Sequence, residues 1–224
     1  LIQANRTHLL VRFIIDEAHC VSNWGHEFRE SYLELKQIKR MFNGIQIALF
    51  TATATPKVLM DMIIQLGLKK VHVHRQSFIR DNLSYSVIPK TGQVIYDMVA
   101  TINHNYKGQS GIIYCLSRKN CETLAMRMTS LGISAEYFHA GLSTDTKRDI
   151  QTRWINNQTQ VIIATIAFGL GINKPDVRFV FHYTMPKSLE GYYQETGRAG
   201  RDGLPSHCIL YYSMHDKIKL QYVI

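Results

Sequence analysis

The chain has 224 residues, 46% of them hydrophobic and 19% charged, with a formal net charge of +9. That length builds one large or two small domains with real cores, and the longest apolar runs, GIIYCL from Gly111 and VIIATIAFGLGI from Val161, are too short or too broken by glycine to cross a bilayer, so no membrane partner is expected. The positive excess suits a polyanionic partner, although solvated lysine faces give the same count, and Cys20, Cys115, Cys121 and Cys208 form no C-x-x-C pair, so no zinc site is expected and they read as reduced, buried thiols.

The first element in chain order is LLVRFII, Leu9 to Ile15, which reads as a buried strand. It runs into two adjacent carboxylates, Asp16 and Glu17, in FIIDEAHC. At a strand end this pair suits one carboxylate holding magnesium through water and another polarising the attacking water. D-E-A-H is only four residues long, and a surface loop is the other reading. A helix is expected over Tyr32 to Phe42 and a strand over Ile45 to Phe50. TATAT follows, Thr51 to Thr55, with three hydroxyls that either serve a site or cap the next helix, Pro56 to Gly67. KVHVH reads as a strand closing this series at His74.

Arg75 to Lys90 is polar and irregular, which places units at 1–75 and 91–224 with a linker over 76–90. The second unit starts with the helical TGQVIYDMVATINH. GIIYCL is a strand, and SRKNCETLAMRMTSLG is a helix capped by Ser117 and stopped by Gly132. Within it Cys121, Leu124, Ala125, Met128 and Leu131 share one core-facing stripe. Further strands are expected at AEYF, QVIIAT, VRFVFHY and HCILYYS, with helices over Thr144 to Asn156 and Leu189 to Gly197. Near-continuous apolar strands between amphipathic helices define an α/β fold whose parallel sheets are covered on both faces. Ligands in such sheets sit beyond the strands' carboxyl ends, where Asp16, Glu17, Thr51 and Thr165 fall.

QETGRAGRDG, Gln194 to Gly203, sets Arg198 and Arg201 three apart among small residues, so that in a turn of helix both guanidinium groups can face one way. A solvated basic turn is the alternative. On the helix from Thr144, Ile150 and Trp154 form a core pair, and Lys147, Arg148 and Arg153 either touch phosphate or line a solvated face.

Taken in order, FIIDEAHC, SNWGHEFRESY, TATAT, GIIYC, QVIIATIAFGLGINKPDVRFVFHY and QETGRAGRDG resemble RecQ-type DNA helicases, with a fungal and Bloom-type flavour. The resemblance covers nearly the whole chain. It implies a superfamily 2 motor of two RecA-like lobes sharing one ATP, with Mg2+ as cofactor, DNA as partner, the nucleus as setting and 3′-to-5′ translocation as activity. It assigns Asp16 and Glu17 to the acidic motif, with His19 linking them to Thr51 and Thr53. Gln194, Arg198 and Arg201 match the arginine motif. Thr165, Gly169, Gly171 and Asp176 match the segment that contacts DNA backbone and nucleotide.

In SNWGHEFRESY, the resemblance implies a loop that senses single-stranded DNA through Ser22, Trp24, His26, Phe28 and Arg29. The residue types agree, because Trp24 and Phe28 can stack on bases and Arg29 can pair with phosphate. A hydrophobic plug against the second lobe is the other use of such aromatics. The family usually has Asp and Pro where this chain has Glu27 and Glu30, and some relatives have Asp at Asn173. The phosphate-cradling G-x-x-x-x-G-K-[ST] loop is not among the residues before Asp16. The reading is therefore a truncated first lobe and a complete second lobe, part of a longer helicase and without ATP turnover on its own. A short DNA-binding product without hydrolysis is the alternative. An RNA helicase of the DEAH class fits the WGHEFR and arginine segments less well.

Overall fold

The computed structural model describes residues 1–24, 28–169 and 172–221, so His26, Glu27 and Gly171 lie outside the described residues. Residues Leu1–Ser77 and Phe78–Ile224 form two compact units.

The larger unit holds strands β3 (Leu83–Pro89), β4 (Ser110–Tyr114), β5 (Ala135–Phe138), β6 (Val161–Ala164), β7 (Val177–His182) and β8 (Ser206–Tyr212). They form one six-stranded sheet in the order β3-β8-β7-β4-β6-β5, every neighbouring pair parallel. Helices α5 (Val94–Asn105), α6 (Arg118–Ser130), α7 (Thr144–Ile155), α8 (Leu189–Thr196) and α9 (Met214–Gln221) complete it. Side chains that alternate along a strand divide between the two faces. Ile113, Ile163, Phe179 and Phe181 pack with Met98 and Ile102 of α5 and with Leu124 and Met128 of α6. Their neighbours Ile112, Ile162 and Val180 pack with Ile150 and Trp154 of α7 on the other side. This is the doubly covered parallel sheet that the apolar runs predict, and the α6 stripe is buried as expected. All four cysteines are free and buried.

Helix starts follow the hydroxyl residues. Ser117, Ser143 and Ser188 each accept an N–H three residues on, at 3.2, 3.1 and 3.0 Å. At the sheet centre a Cβ on Gly111 would sit 2.1 Å from ring atoms of Phe179. Gly111→Ala must therefore displace a ring that is itself fully buried. We expect a loss of about 1–3 kcal/mol in urea unfolding, and an unchanged midpoint would contradict this packing.

The smaller unit contains α1 (Ile2–Arg6), β1 (Arg12–Ile15), α2 (Glu30–Leu33), α3 (Lys36–Met41), β2 (Gln46–Leu49) and α4 (Pro56–Gln65). Strands β1 and β2 pair in parallel, with Ile15 opposite Leu49. Ile15, Ala18, Val21, Val58, Met62 and Leu66 make a small core on one face. The other is open: Ile14 is 68% exposed, so β1 is shorter and less buried than LLVRFII predicts.

Three further expectations need correction. The helix expected over Tyr32 to Phe42 is broken into α2 and α3. KVHVH forms no strand, and its valines Val71 and Val73 are exposed; alternation supplies a face but no partner strand. Conversely, the stretch read as a 76–90 linker contains β3, a full edge strand in register with β8.

Candidate active site

Where β1 ends, the chain turns sharply. Phe50 donates its N–H to the Ile15 carbonyl at 2.8 Å and Ala18 donates to the Phe50 carbonyl at 2.9 Å, which ties the carboxyl ends of β1 and β2 together. Glu17 takes up the turn at φ 50°, a left-handed conformation costly for a residue with a Cβ. Strain of this kind persists where the surroundings fix it, and here the Asp16 carboxylate accepts the Glu17 N–H at 2.9 Å.

His19 is fully buried in the short 3-10 turn that follows, Ala18–Val21. Its Nδ1 lies 2.9 Å from the Thr51 hydroxyl and 3.4 Å from the Glu17 carboxylate. Thr51 also accepts the N–H of Thr53 at 3.2 Å. The imidazole thus joins the acidic pair to the threonine loop, the link that the resemblance implies. Thr55 is the helix cap, accepting the N–H of Val58 at 3.3 Å. Asp16 is an exposed carboxylate at a strand end. A hard oxygen donor of that kind, with room for several waters, fits magnesium held mainly through its hydration shell.

The aromatic loop leaves at Ser22 and is closed by Arg29, whose N–H donates to the Cys20 carbonyl at 3.0 Å. Ser22 is buried and gives its hydroxyl to Asp61 at 2.7 Å, while Trp24 and Phe28 are 63% and 37% exposed. Asp61 and its helix neighbour Lys57 are residues the sequence reading missed.

In the larger unit, α8 ends at Thr196 with Gly197 as its cap, as expected, and Arg198 and Arg201 lie in the turns beyond it, with Gln194 on the helix itself. Both guanidinium groups still address one segment. Arg198 donates to the Gly169 carbonyl at 2.5 Å and Arg201 to the Ile172 carbonyl at 2.7 Å. A Cβ at Gly169 would lie 2.9 Å from the Arg198 guanidinium, so a larger residue there makes that side chain shift. Arg80, assigned by sequence to a linker, organises the turn. It donates to the carbonyls of Gly197, Ala199 and Gly200, and Asn82 donates to Gly200 and Leu204.

Among the described residues, none of Arg80, Arg198 and Arg201 is paired with a carboxylate; they donate to carbonyls, and Arg198 also bonds the Tyr114 side chain. Burial, then the charges of Arg198 and Arg80, push Arg201 below the ordinary arginine value. Crowded cations satisfied only by neutral acceptors leave a positive field for an anion.

Thr165 ends β6, and its hydroxyl accepts the Ala167 N–H at 3.4 Å. Asp176 stands at the opposite, amino-terminal edge of the sheet, before β7, with its carboxylate 3.1 Å from Lys174. The segment from Thr165 to Asp176 therefore crosses the sheet from edge to edge. The structure brings Gly169 to the arginines but keeps Thr165 and Asp176 apart. On α7, Lys147 donates to the Ala140 carbonyl, Arg148 pairs with Asp145, and Arg153 pairs with Glu136. Burial pushes the Glu136 carboxyl up, but the hydrogen bonds from Arg153 and Thr159 outweigh it and hold it below the usual range.

Parallel sheets covered by helices, with an acid-histidine-threonine cluster in one unit and a carbonyl-held arginine pair in the other, define a RecA-like fold of the helicase type. The same fold is found in "S. cerevisiae Dbp5 bound to RNA and ADP BeF3", at a TM-score of 0.73 and 18% identity over 99% of this chain and 59% of that one. It also occurs in the Mycobacterium smegmatis helicase Lhr bound to ssDNA and AMP-PNP, at 0.70 and 20% identity, over 96% and 30%. The "DEAD/DEAH box helicase" family matches residues 2–62 and "Helicase conserved C-terminal domain" residues 92–203. The chain is 52% identical over 222 residues to the RecQ-like DNA helicase blm-1 of Caenorhabditis elegans, covering 98% of this chain and 22% of that protein. It is 50% identical to RecQ-like DNA helicase BLM of Xenopus laevis and to the ATP-dependent helicase SGS1 of Saccharomyces cerevisiae, each over 96% of this chain and 16% and 15% of theirs. The chain belongs to the RecQ family of helicases, and it spans between 15% and 22% of the length of these relatives.

Proposed function

We propose that these residues form part of the motor of an ATP-dependent DNA helicase that moves 3′ to 5′ along single-stranded DNA and serves recombination and repair in the nucleus. In this reading Asp16 would hold magnesium through water, where the ion would supply positive charge to the phosphates. Glu17 takes a proton from the attacking water. His19 keeps Glu17 and Thr51 in fixed relation, so that a shift in the threonine loop moves the base. Arg198 and Arg201 supply positive charge to the phosphates, with Gln194 beside them, and Gly169, Gly171 and Asp176 belong to the same coupled segment. Ser22, Trp24, His26, Phe28, Arg29, Thr53 and Thr165 contact or report on DNA. The larger unit is the complete second lobe and the smaller one the acidic part of the first.

The observation that carries this reading is the arginine pair: two guanidinium groups converging on carbonyls of one segment, with no carboxylate paired to them among the described residues. Without a G-x-x-x-x-G-K-[ST] sequence, residues 1–224 alone do not turn over ATP. The test uses the intact helicase. Glu17→Gln should lower DNA-stimulated phosphate release by about 10²- to 10⁴-fold and leave oligonucleotide binding near the parent value. Turnover within a few-fold of the parent would take the general-base role from Glu17.

A further inference from the structure

Trp24 is one of two tryptophans, and the other, Trp154, is fully buried. The Lys57 ammonium lies over its ring, 3.1 Å from the centroid. One helical turn further along α4, a single oxygen of Asp61 accepts the Ser22 hydroxyl at 2.7 Å and the Asn23 N–H at 3.1 Å. Its second oxygen takes the Gln65 amide at 3.2 Å. The Ser22 oxygen in turn accepts the Trp24 N–H at 3.1 Å. Above all the Ser22 hydrogen bond holds the Asp61 carboxyl below its ordinary value, against the upward push of burial. Residues four apart share a helix face, so Lys57 and Asp61 grip the loop from one side of α4.

We infer that α4 is a clasp for the aromatic loop: Asp61 fixes the loop's start at Ser22 and Asn23, and Lys57 covers the face of Trp24 on which a nucleobase stacks. Single-stranded nucleic acid then binds by exchange. A base stacked on the indole outranks an exposed ammonium over the same ring, and the displaced Lys57 is left free for a phosphate. Asp61 keeps Trp24 in place during the exchange, which makes it a positioning residue. The helix that carries both residues starts at Thr55, four residues after the threonine bonded to His19. A pull on α4 by the loop therefore reaches the acidic motif through few intermediates. The inference rests on the proposal that this loop reads DNA.

The test separates the clasp from that proposal. Acrylamide quenching and anisotropy of Trp24 are measured in the full chain, with a Trp24→Phe chain supplying the Trp154 background. Without DNA, Lys57→Met and Asp61→Ala should each raise quenching, and Asp61→Ala should also lower anisotropy. Asp61→Asn, which keeps an acceptor oxygen, should restore most of the anisotropy. With oligo(dT), Asp61→Ala should weaken binding about tenfold while the parent shows Trp24 passing from ammonium to base. Unchanged quenching and anisotropy in Lys57→Met and Asp61→Ala overturn the clasp. A loosened Trp24 with undiminished oligo(dT) affinity overturns the loop's role in DNA binding, and with it the exchange.

Discussion

Arg198→Ala in the intact helicase is expected to lower ATP turnover by about 10³-fold or more, with little change in the melting of the larger unit. The small structural cost follows from its surroundings. Among the described residues Arg198 hydrogen-bonds the Gly169 carbonyl and the Tyr114 side chain, and its buried Nε has no partner. A side chain this weakly satisfied contributes little to the fold. What is lost is a planar, always-charged donor held at the edge of a segment that runs to Thr165. Arg198→Lys should rescue poorly, since an ammonium is a point charge and cannot reproduce the fork. Phosphate release with saturating oligonucleotide, read beside circular dichroism melting, is the measurement. Turnover within tenfold of the parent, in a folded protein, would leave the arginine turn as scaffold only.

The second large effect is on stability. Trp154→Ala is expected to cost about 3–5 kcal/mol in urea unfolding. Trp154 is fully buried on α7, and its ring meets Phe168 edge-on at 5.3 Å. Phe168 meets Phe138 in the same way at 4.7 Å, and the Phe168 carbonyl accepts the Tyr114 hydroxyl at 2.9 Å. Burial keeps that phenol protonated by raising it well above the usual tyrosine value. Removing the indole therefore opens a cavity beneath the same segment that holds the two arginines. Trp154→Phe should cost much less, because the buried indole N–H has no partner among the described residues and its loss relieves a desolvated donor. A Trp154→Ala loss below about 1 kcal/mol would contradict the packing.

Much of the fold was legible because the larger unit's strands are apolar throughout, and its serine caps stand where the helices begin. β3 was not. Its residues pair with β8 on one side only, six of its seven are exposed, and LSYSVIP reads as loop. In the candidate site, Asp16, Glu17, His19 and Thr51, which stand in separate motifs, lie together in the fold. Arg80, Lys57 and Asp61 were invisible for one physical reason. Each looks like an ordinary solvated charge in its own stretch, and its meaning comes from a partner far along the chain, 39 residues for Asp61 with Ser22 and 120 for Arg80 with Gly200. The arginine spacing pointed to a helical turn, whereas the real convergence comes from the turns after α8 meeting a loop.

The place of β3 in the sheet has a consequence for biosynthesis. As the first strand of its unit to leave the ribosome, it finds its sheet neighbour only in β8, the last to be made. Until Tyr212 has emerged, β3 is an unpaired ribbon with Tyr85 and Val87 turned outward, and Arg80 and Asn82 just before it have no turn to hold. Closure over so long a loop is slow and all-or-none in character. A nascent chain stalled anywhere before Ser206 presents an open strand edge to chaperones and to its own copies.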